Sequence, residues 1–243
     1  MREGLIRAGR ALALLYPKSL SLFWLAPAVI CLVAIPEFIQ HVVEIRLGMF
    51  DSRAAFAAHA ADPTRMAFGY VKIAGLVLAM LASARFWWTR RAGRPWYDPR
   101  GIAWRRFAIG FVLFMLLPTV PGLFKAGIGE QAALAIGVVM SIILLPALFQ
   151  MLAGLFGDLD TSVGDMWRRS WLWALLAFGL AVLAFAPAGW LHQMNHRWAL
   201  GAADGLVWAL MIFDSLLVGL LAGLTGTAFY LGYAGFAAGR RAA

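Results

Sequence analysis

The sequence predicts an all-α fold: a polytopic transmembrane helical bundle of about six spans arranged as three hairpins, with both termini cytoplasmic. Three observations carry that expectation. The 243-residue chain is 63% hydrophobic with a mean hydropathy of +0.78, a composition that lipid accepts and a water-facing surface does not. Its apolar residues gather in six runs, each suited to a hydrocarbon core about 30 Å thick crossed at about 1.5 Å per residue. Lysine and arginine concentrate in alternate connections, fifteen of the 21 on the side of the termini against five on the other. The positive-inside bias assigns the richer side to the cytoplasm.

Each element follows in order. Residues 1–18 form a basic amphipathic segment carrying Arg2, Arg7, Arg10 and Lys18, which precedes a first span at 19–36. A cleaved leader is disfavoured, because the small-residue triplet Ala26, Pro27, Ala28 sits inside an apolar run that continues to Ile35. Cys31, the single cysteine, cannot close a disulfide within the chain. The second span is read at 66–88, the third at 107–123 and the fourth at 131–156. The fifth is read at 171–190 and the sixth at 206–228. The sixth apolar run continues to Ala238, longer than an untilted crossing, so a bend is expected near Gly232 and Gly235. Trp87, Trp88, Trp96, Trp104, Trp167, Trp171, Trp190 and Trp198 lie near span ends, where indoles anchor at headgroups. No loop is large enough for a separate soluble core, so residues 1–243 read as a single integral membrane domain. The net charge of +9 flanks apolar spans, which points to membrane lipids as partners and away from nucleic acid. The expected setting is a bacterial-type cytoplasmic, or inner, membrane.

Two spans begin alike, with Trp104, Arg105, Arg106 before the third and Trp167, Arg168, Arg169 before the fifth. Upstream of the latter, Ser162 and Asp165 are spaced close to a capping box, which predicts a helix start. The segment from Asp160 to Trp171 resembles uncharacterised bacterial six-helix membrane proteins related to the membrane domain of glycerophosphodiester phosphodiesterases. There, too, an acidic, serine-containing turn precedes a double-basic helix start. The resemblance implies a membrane-embedded helical bundle without a defined catalytic site and transfers no functional residues.

Ionisable residues inside spans are the first functional candidates, since charge in hydrocarbon needs a partner or a cavity. Lys72 and Asp214 qualify, and their similar depths from the outer side predict an intramembrane polar pair. In the first outer loop Glu37, His41 and Glu44 recur at offsets of four and three, aligned on one face if the helix continues past Pro36. His192 and His196 have the i, i+4 spacing that can hold a metal on one helix face. With no HExxH sequence and no cysteine ligands, they are read as solvated loop histidines, and no metal or other cofactor is expected. Arg90, Arg91, Arg94, Arg100, Arg105 and Arg106 form a basic turn with Trp96 and Tyr97, a candidate contact for anionic headgroups. The positive-inside signal accounts for the same arginines. Ser215, Gly219, Gly223 and Thr227 repeat every four residues as a helix-packing stripe, either within the bundle or between copies of the chain.

Neither a phosphate-binding glycine loop nor a GxSxG nucleophile occurs. The expected function is therefore a non-enzymatic bundle that binds lipid or a partner protein. A transporter or permease subunit using Lys72 and Asp214 is the alternative. A lipid-modifying enzyme using Asp158, Asp160 and the arginine turn is the second.

Overall fold

A computed structural model describes residues 2–241, with side chains from 9 to 240. The side chains of Arg2 and Arg7, part of the basic N-terminal segment, lie outside the described residues. All the regular secondary structure among the described residues is helical, with no strand. Its helices are α1 (Arg2–Leu25), α2 (Pro27–Arg46), α3 (Arg53–His59), α4 (Pro63–Arg90), α5 (Trp104–Phe111) and α6 (Val120–Leu123). They continue with α7 (Lys125–Ile128), α8 (Glu130–Ile143), α9 (Leu145–Phe156), α10 (Val163–Arg169), α11 (Trp171–Ala199) and α12 (Asp204–Arg241). Among the described residues five segments are long and apolar enough to cross a membrane, and the pair α8 and α9 counts as a sixth if taken as one bent span. Large apolar side chains face outward on these segments, Leu134, Leu172 and Leu183 among them, as a lipid-facing surface requires. The chain is thus an all-α, multi-pass membrane protein.

Five of the spans differ from the sequence reading. The first apolar run is broken at Ala26, because Pro27 opens α2 and holds Ala26 outside the helical region at φ −149°. The long first span is α2, which continues through Pro36 to Arg46 and makes Glu37, His41 and Glu44 helical. The third span is an α5 turn followed by a π segment (Val112–Leu116) and a 3₁₀ turn (Leu117–Thr119), since Pro118 cannot donate to the preceding turn. The fourth bends by 57° between α8 and α9, where Pro146 stands in the first turn of α9. The fifth runs on to Ala199, which places His192 and His196 on a helix. The sixth has no break at Gly232 or Gly235; α12 is one helix of 38 residues, about 57 Å at the usual rise.

The structure divides into two compact units, one of Met1–Phe86 with Leu180–Ala228 and the other of Trp87–Gly179 with Phe229–Ala243.

In the first unit α2 and α4 run antiparallel in close contact. Pro36 deprives the Leu32 carbonyl of its helical donor, and Gly75 lies against that carbonyl, where a methyl would collide with the oxygen. The stripe on α12 packs inward here: Gly219 meets Ile30 and Ala34, and Gly223 meets Leu22 and the Ser19 backbone. Ser215 and Thr227 are buried along the same stripe. At the turns joining α2 to α4 and α11 to α12, the Gly201 N–H donates to the Phe50 carbonyl at 2.7 Å. Phe50, Ala199, Val207 and Met211 form a small apolar core beneath that bond.

In the second unit α5 and α9 pack backbone to backbone. Gly154 meets the Phe107 backbone and Gly110 meets the Met151 backbone, while the Ala103 N–H donates to the Gly154 carbonyl at 2.8 Å. Gly154→Val is expected to force these helices apart and to lower stability by about 1–3 kcal/mol, measured as a fall in unfolding temperature in a fixed detergent. Helix α9 ends at Gly157, whose φ of +70° suits glycine. The Gly157 and Asp158 N–H groups donate back to the Gly154 and Ala153 carbonyls, a Schellman ending that turns Asp158 inward. Its carboxylate accepts from the Tyr233 hydroxyl at 2.8 Å and pairs with Arg240 at 3.2 Å. Around Tyr233 stand Phe149, Phe156, Phe236 and Trp88, with Trp88 stacked on Phe156 at 4.8 Å. Trp87 is buried, and Trp88 is half-buried in this aromatic core rather than at a headgroup. Trp104, Trp190 and Trp198 remain exposed.

Candidate functional site: a buried histidine–carboxylate centre

The centre lies in the first unit, at the end where α2 and α11 finish and α4 and α12 begin. Helix α2 supplies Glu37, His41 and Glu44 from successive turns of one face, all but fully buried. Helix α4 starts at Asp62, whose carboxylate accepts from the Thr64 and Arg65 N–H groups, an N-cap that fixes its first turn. Antiparallel to α2, α4 then presents Arg65 and Lys72 at the same seven-residue spacing that separates Glu44 from Glu37. Arg65 Nε donates to Glu44 Oε1 at 2.9 Å, and Lys72 Nζ lies 3.2 Å from Glu37 Oε2.

Opposite them, α11 contributes His192, Asn195 and His196, and α12 contributes Asp214, which is fully buried. Three imidazoles converge on Asp214 Oδ2: His192 Nδ1 at 2.8 Å, His41 Nε2 at 3.1 Å and His196 Nε2 at 3.5 Å. Asn195 Nδ2 donates to the other carboxylate oxygen at 2.8 Å. His41 Nε2 also lies 3.3 Å from Glu37 Oε1, while its Nδ1 is 2.9 Å from Glu44 Oε2. Glu44 thus accepts a hydrogen bond from Nδ1–H, which leaves Nε2 facing Asp214 and Glu37. A carboxylate in that role holds a metal-ligating histidine in its tautomer and orientation.

Two features show that the side chains do not close this network among themselves. Glu37, Glu44 and Asp214 bring three negative charges, whereas Arg65 and Lys72 bring two permanent positive ones; the balance must come from a proton or another cation. Asn195 Oδ1, Gln40 Oε1 and His196 Nδ1 are also buried without a hydrogen-bond partner among the described residues. One candidate ligand atom from each of Glu37, His41, His196 and Asp214 lies within 4.8 Å of the others. Zinc holds nitrogen and oxygen at about 2.0–2.2 Å, so tetrahedral ligand atoms stand roughly 3.3–3.5 Å apart. The 3.3 and 3.5 Å separations fall in that spacing and the 3.1 Å one is slightly shorter, while the four atoms as a set spread up to 4.8 Å, so an ion would draw them together.

Depth in the sequence pairs Lys72 with Asp214, whereas in the structure Lys72 reaches Glu37 and Asp214 is held by histidine and asparagine. Both residues belong to one centre, whose other members hydropathy alone places in loops. His192 and His196 come together with His41 because α11 extends past Trp190 and makes them helical rather than loop residues. The equal spacing of Glu37 with Glu44 and of Arg65 with Lys72 was the signal available in the sequence.

The basic turn lies in the second unit and is not a single cluster. Arg100 pairs with Asp98 at 3.0 Å. Arg106 donates inward to the Asp158 and Thr161 carbonyls. Arg94 and Arg105 are exposed, and Arg91 lines a cavity of about 340 Å³ with Trp88. Arg90, a further member of the turn, is an exposed residue at the end of α4. At the start of α10 the Ser162 hydroxyl donates to Asp165 at 2.7 Å and its oxygen accepts the Asp165 N–H at 3.1 Å, as the capping spacing predicts. That hydrogen bond, with help from Arg168 and Arg169, holds the Asp165 carboxyl below its ordinary value. Its stabilising contribution is present above the ordinary aspartate range and is lost as pH falls through the lowered value.

Fold and centre together define a multi-pass integral membrane protein with a buried histidine–carboxylate cluster. No family model, curated protein or solved structure matches the chain.

Proposed function

We propose that this membrane protein binds a divalent transition metal of the zinc class, held by His41, His196 and Asp214 with Glu37 as the fourth ligand. The observation that carries the reading is the meeting of two imidazoles and two carboxylates brought together by three helices, α2, α11 and α12. Imidazole with carboxylate suits zinc and its neighbours, whereas calcium and magnesium prefer oxygen alone. Glu44 and His192 act from behind, on His41 and Asp214 respectively. The proposal is one of binding, and no group is assigned a catalytic step.

The test is metal content. Purified protein loaded with zinc and dialysed is expected to retain a single zinc ion per chain by elemental mass spectrometry, and His196→Ala is expected to weaken retention about a hundredfold. Zinc-free wild-type protein after loading would defeat the reading.

A second reading is favoured by the two ring nitrogens of His41, which both face carboxylates. A protonated His41 would bridge Glu44 and Asp214 and supply the missing positive charge, as in a proton-coupled transporter. Proton flux in reconstituted vesicles without zinc retention would select it.

Lipid or protein partners, a second copy of the chain and a bacterial-type inner membrane belong to the same proposal. The basic turn and exposed indoles support lipid contact at the cytoplasmic side. The resemblance in the segment from Asp160 to Trp171 adds no residue to the site. A lipid-modifying role for Asp158 draws no support from a carboxylate already committed to Tyr233 and Arg240.

A further inference from the structure

We infer that the cavity beside the metal centre takes a phosphate monoester dianion, as a lipid headgroup or as a soluble phosphate. The inference rests on the metal reading and adds its ligand. A cavity of about 390 Å³ opens on the centre, with His192 and His196 in its wall, a size suited to a headgroup or small molecule. Three cations, Arg65, Lys72 and Arg197, and one carboxylate, the Arg65-paired Glu44, line it. Arg65 and Lys72 are partly exposed, at 19% and 26%, while the carboxylates that pair with them are buried. Arg197 is exposed. Phe56, over which the Arg65 guanidinium sits at 5.9 Å, supplies an apolar wall.

Charge selects the ligand. With neutral histidines, as ligation requires of His41 and His196, Arg65 and Lys72 leave the buried carboxylates one negative charge in excess, which the exposed Arg197 at the cavity rim offsets. A divalent cation then leaves two positive charges facing the cavity. A phosphate monoester carries about −1.5 to −2 near neutral pH and matches that excess. A carboxylate or a phosphodiester carries a single negative charge and leaves half of it unmet. Guanidinium forks also match phosphoryl oxygens in pairs.

The experiment uses the whole protein in phosphatidylcholine nanodiscs, zinc-loaded, with zinc content measured first. One arm titrates inorganic phosphate by calorimetry; the other adds phosphatidic acid to the nanodisc and follows its phosphorus resonance. Saturable binding is expected in at least one arm, and the arm that responds identifies the source. Arg197→Gln alters an exposed side chain outside the zinc ligands; it is expected to keep full zinc content and to weaken the phosphate ligand about tenfold. Zinc-loaded wild-type protein that binds neither probe overturns the inference while leaving the metal reading intact, and so does wild-type affinity in Arg197→Gln. Absence of zinc from the loaded protein overturns the metal reading itself.

Discussion

Asp214→Asn is expected to abolish zinc retention while leaving the metal-free protein at least as heat-resistant as the wild type. The asymmetry follows from the charge balance. Three buried carboxylates face Arg65 and Lys72, so removing one negative charge brings the metal-free centre to neutrality. The carboxamide still accepts hydrogen bonds, and the site keeps its volume. Zinc, in contrast, loses the oxygen on which the three imidazoles converge. A change in an outer partner of a metal typically costs 10–100-fold in affinity, and a direct ligand is expected to cost at least about a hundredfold. At zinc concentrations about a thousandfold above the dissociation constant, the bound ion stabilises the folded protein by about 4 kcal/mol. Thermal unfolding with and without zinc reads both effects. The wild type is expected to gain a large zinc-dependent shift and Asp214→Asn none. If a protonated histidine is the partner of Asp214 instead, the substitution strands that charge. The metal-free variant should then unfold several degrees lower, which would count against the metal.

Asp158→Ala is the second large effect. The carboxylate is buried at the Schellman end of α9 and receives the Tyr233 hydroxyl and Arg240. Its removal leaves a fully buried phenol and a largely buried guanidinium without their acceptor, a loss of about 3 kcal/mol. The expected readout is a marked fall in unfolding temperature with zinc content per folded chain unchanged. Asp158→Asn, which keeps an acceptor for Tyr233, should recover part of the loss. A role in lipid chemistry predicts the reverse pattern: a stable variant that lacks product.

The membrane class and the hairpin order were legible because apolar length and basic flanks report directly on a bilayer. Helix ends were less so. Hydropathy marks where a segment can lie in hydrocarbon, whereas helical hydrogen bonding continues beyond it, as α2 does to Arg46 and α11 to Ala199. Each extension carried histidines out of a supposed loop and onto an ordered face. Pro36 looked like a terminus, yet its cost is limited to the Leu32 carbonyl, against which Gly75 packs. The centre was half visible: Glu37, His41 and Glu44 shared a face on paper, and Asp214 stood out as a charge in an apolar run. What the sequence lacked was the pairing between α11 and α12 that brings His192 and Asn195 onto Asp214.

The matched spacing of Glu37 and Glu44 with Lys72 and Arg65 has a consequence for assembly. Two apolar helices in lipid can slide past one another at little cost, because hydrocarbon rewards no particular alignment. Here sliding is penalised at two rungs at once. A slip of α4 by one turn, about four residues, would set Phe68 or Leu76 opposite Glu37 and Ala61 or Gly69 opposite Glu44. Two carboxylates would then be stranded in a low-dielectric interior. The ion pairs therefore act as a pin through the first hairpin, and the residues that ready the centre for its ligand also dictate which alignment of the two helices can insert.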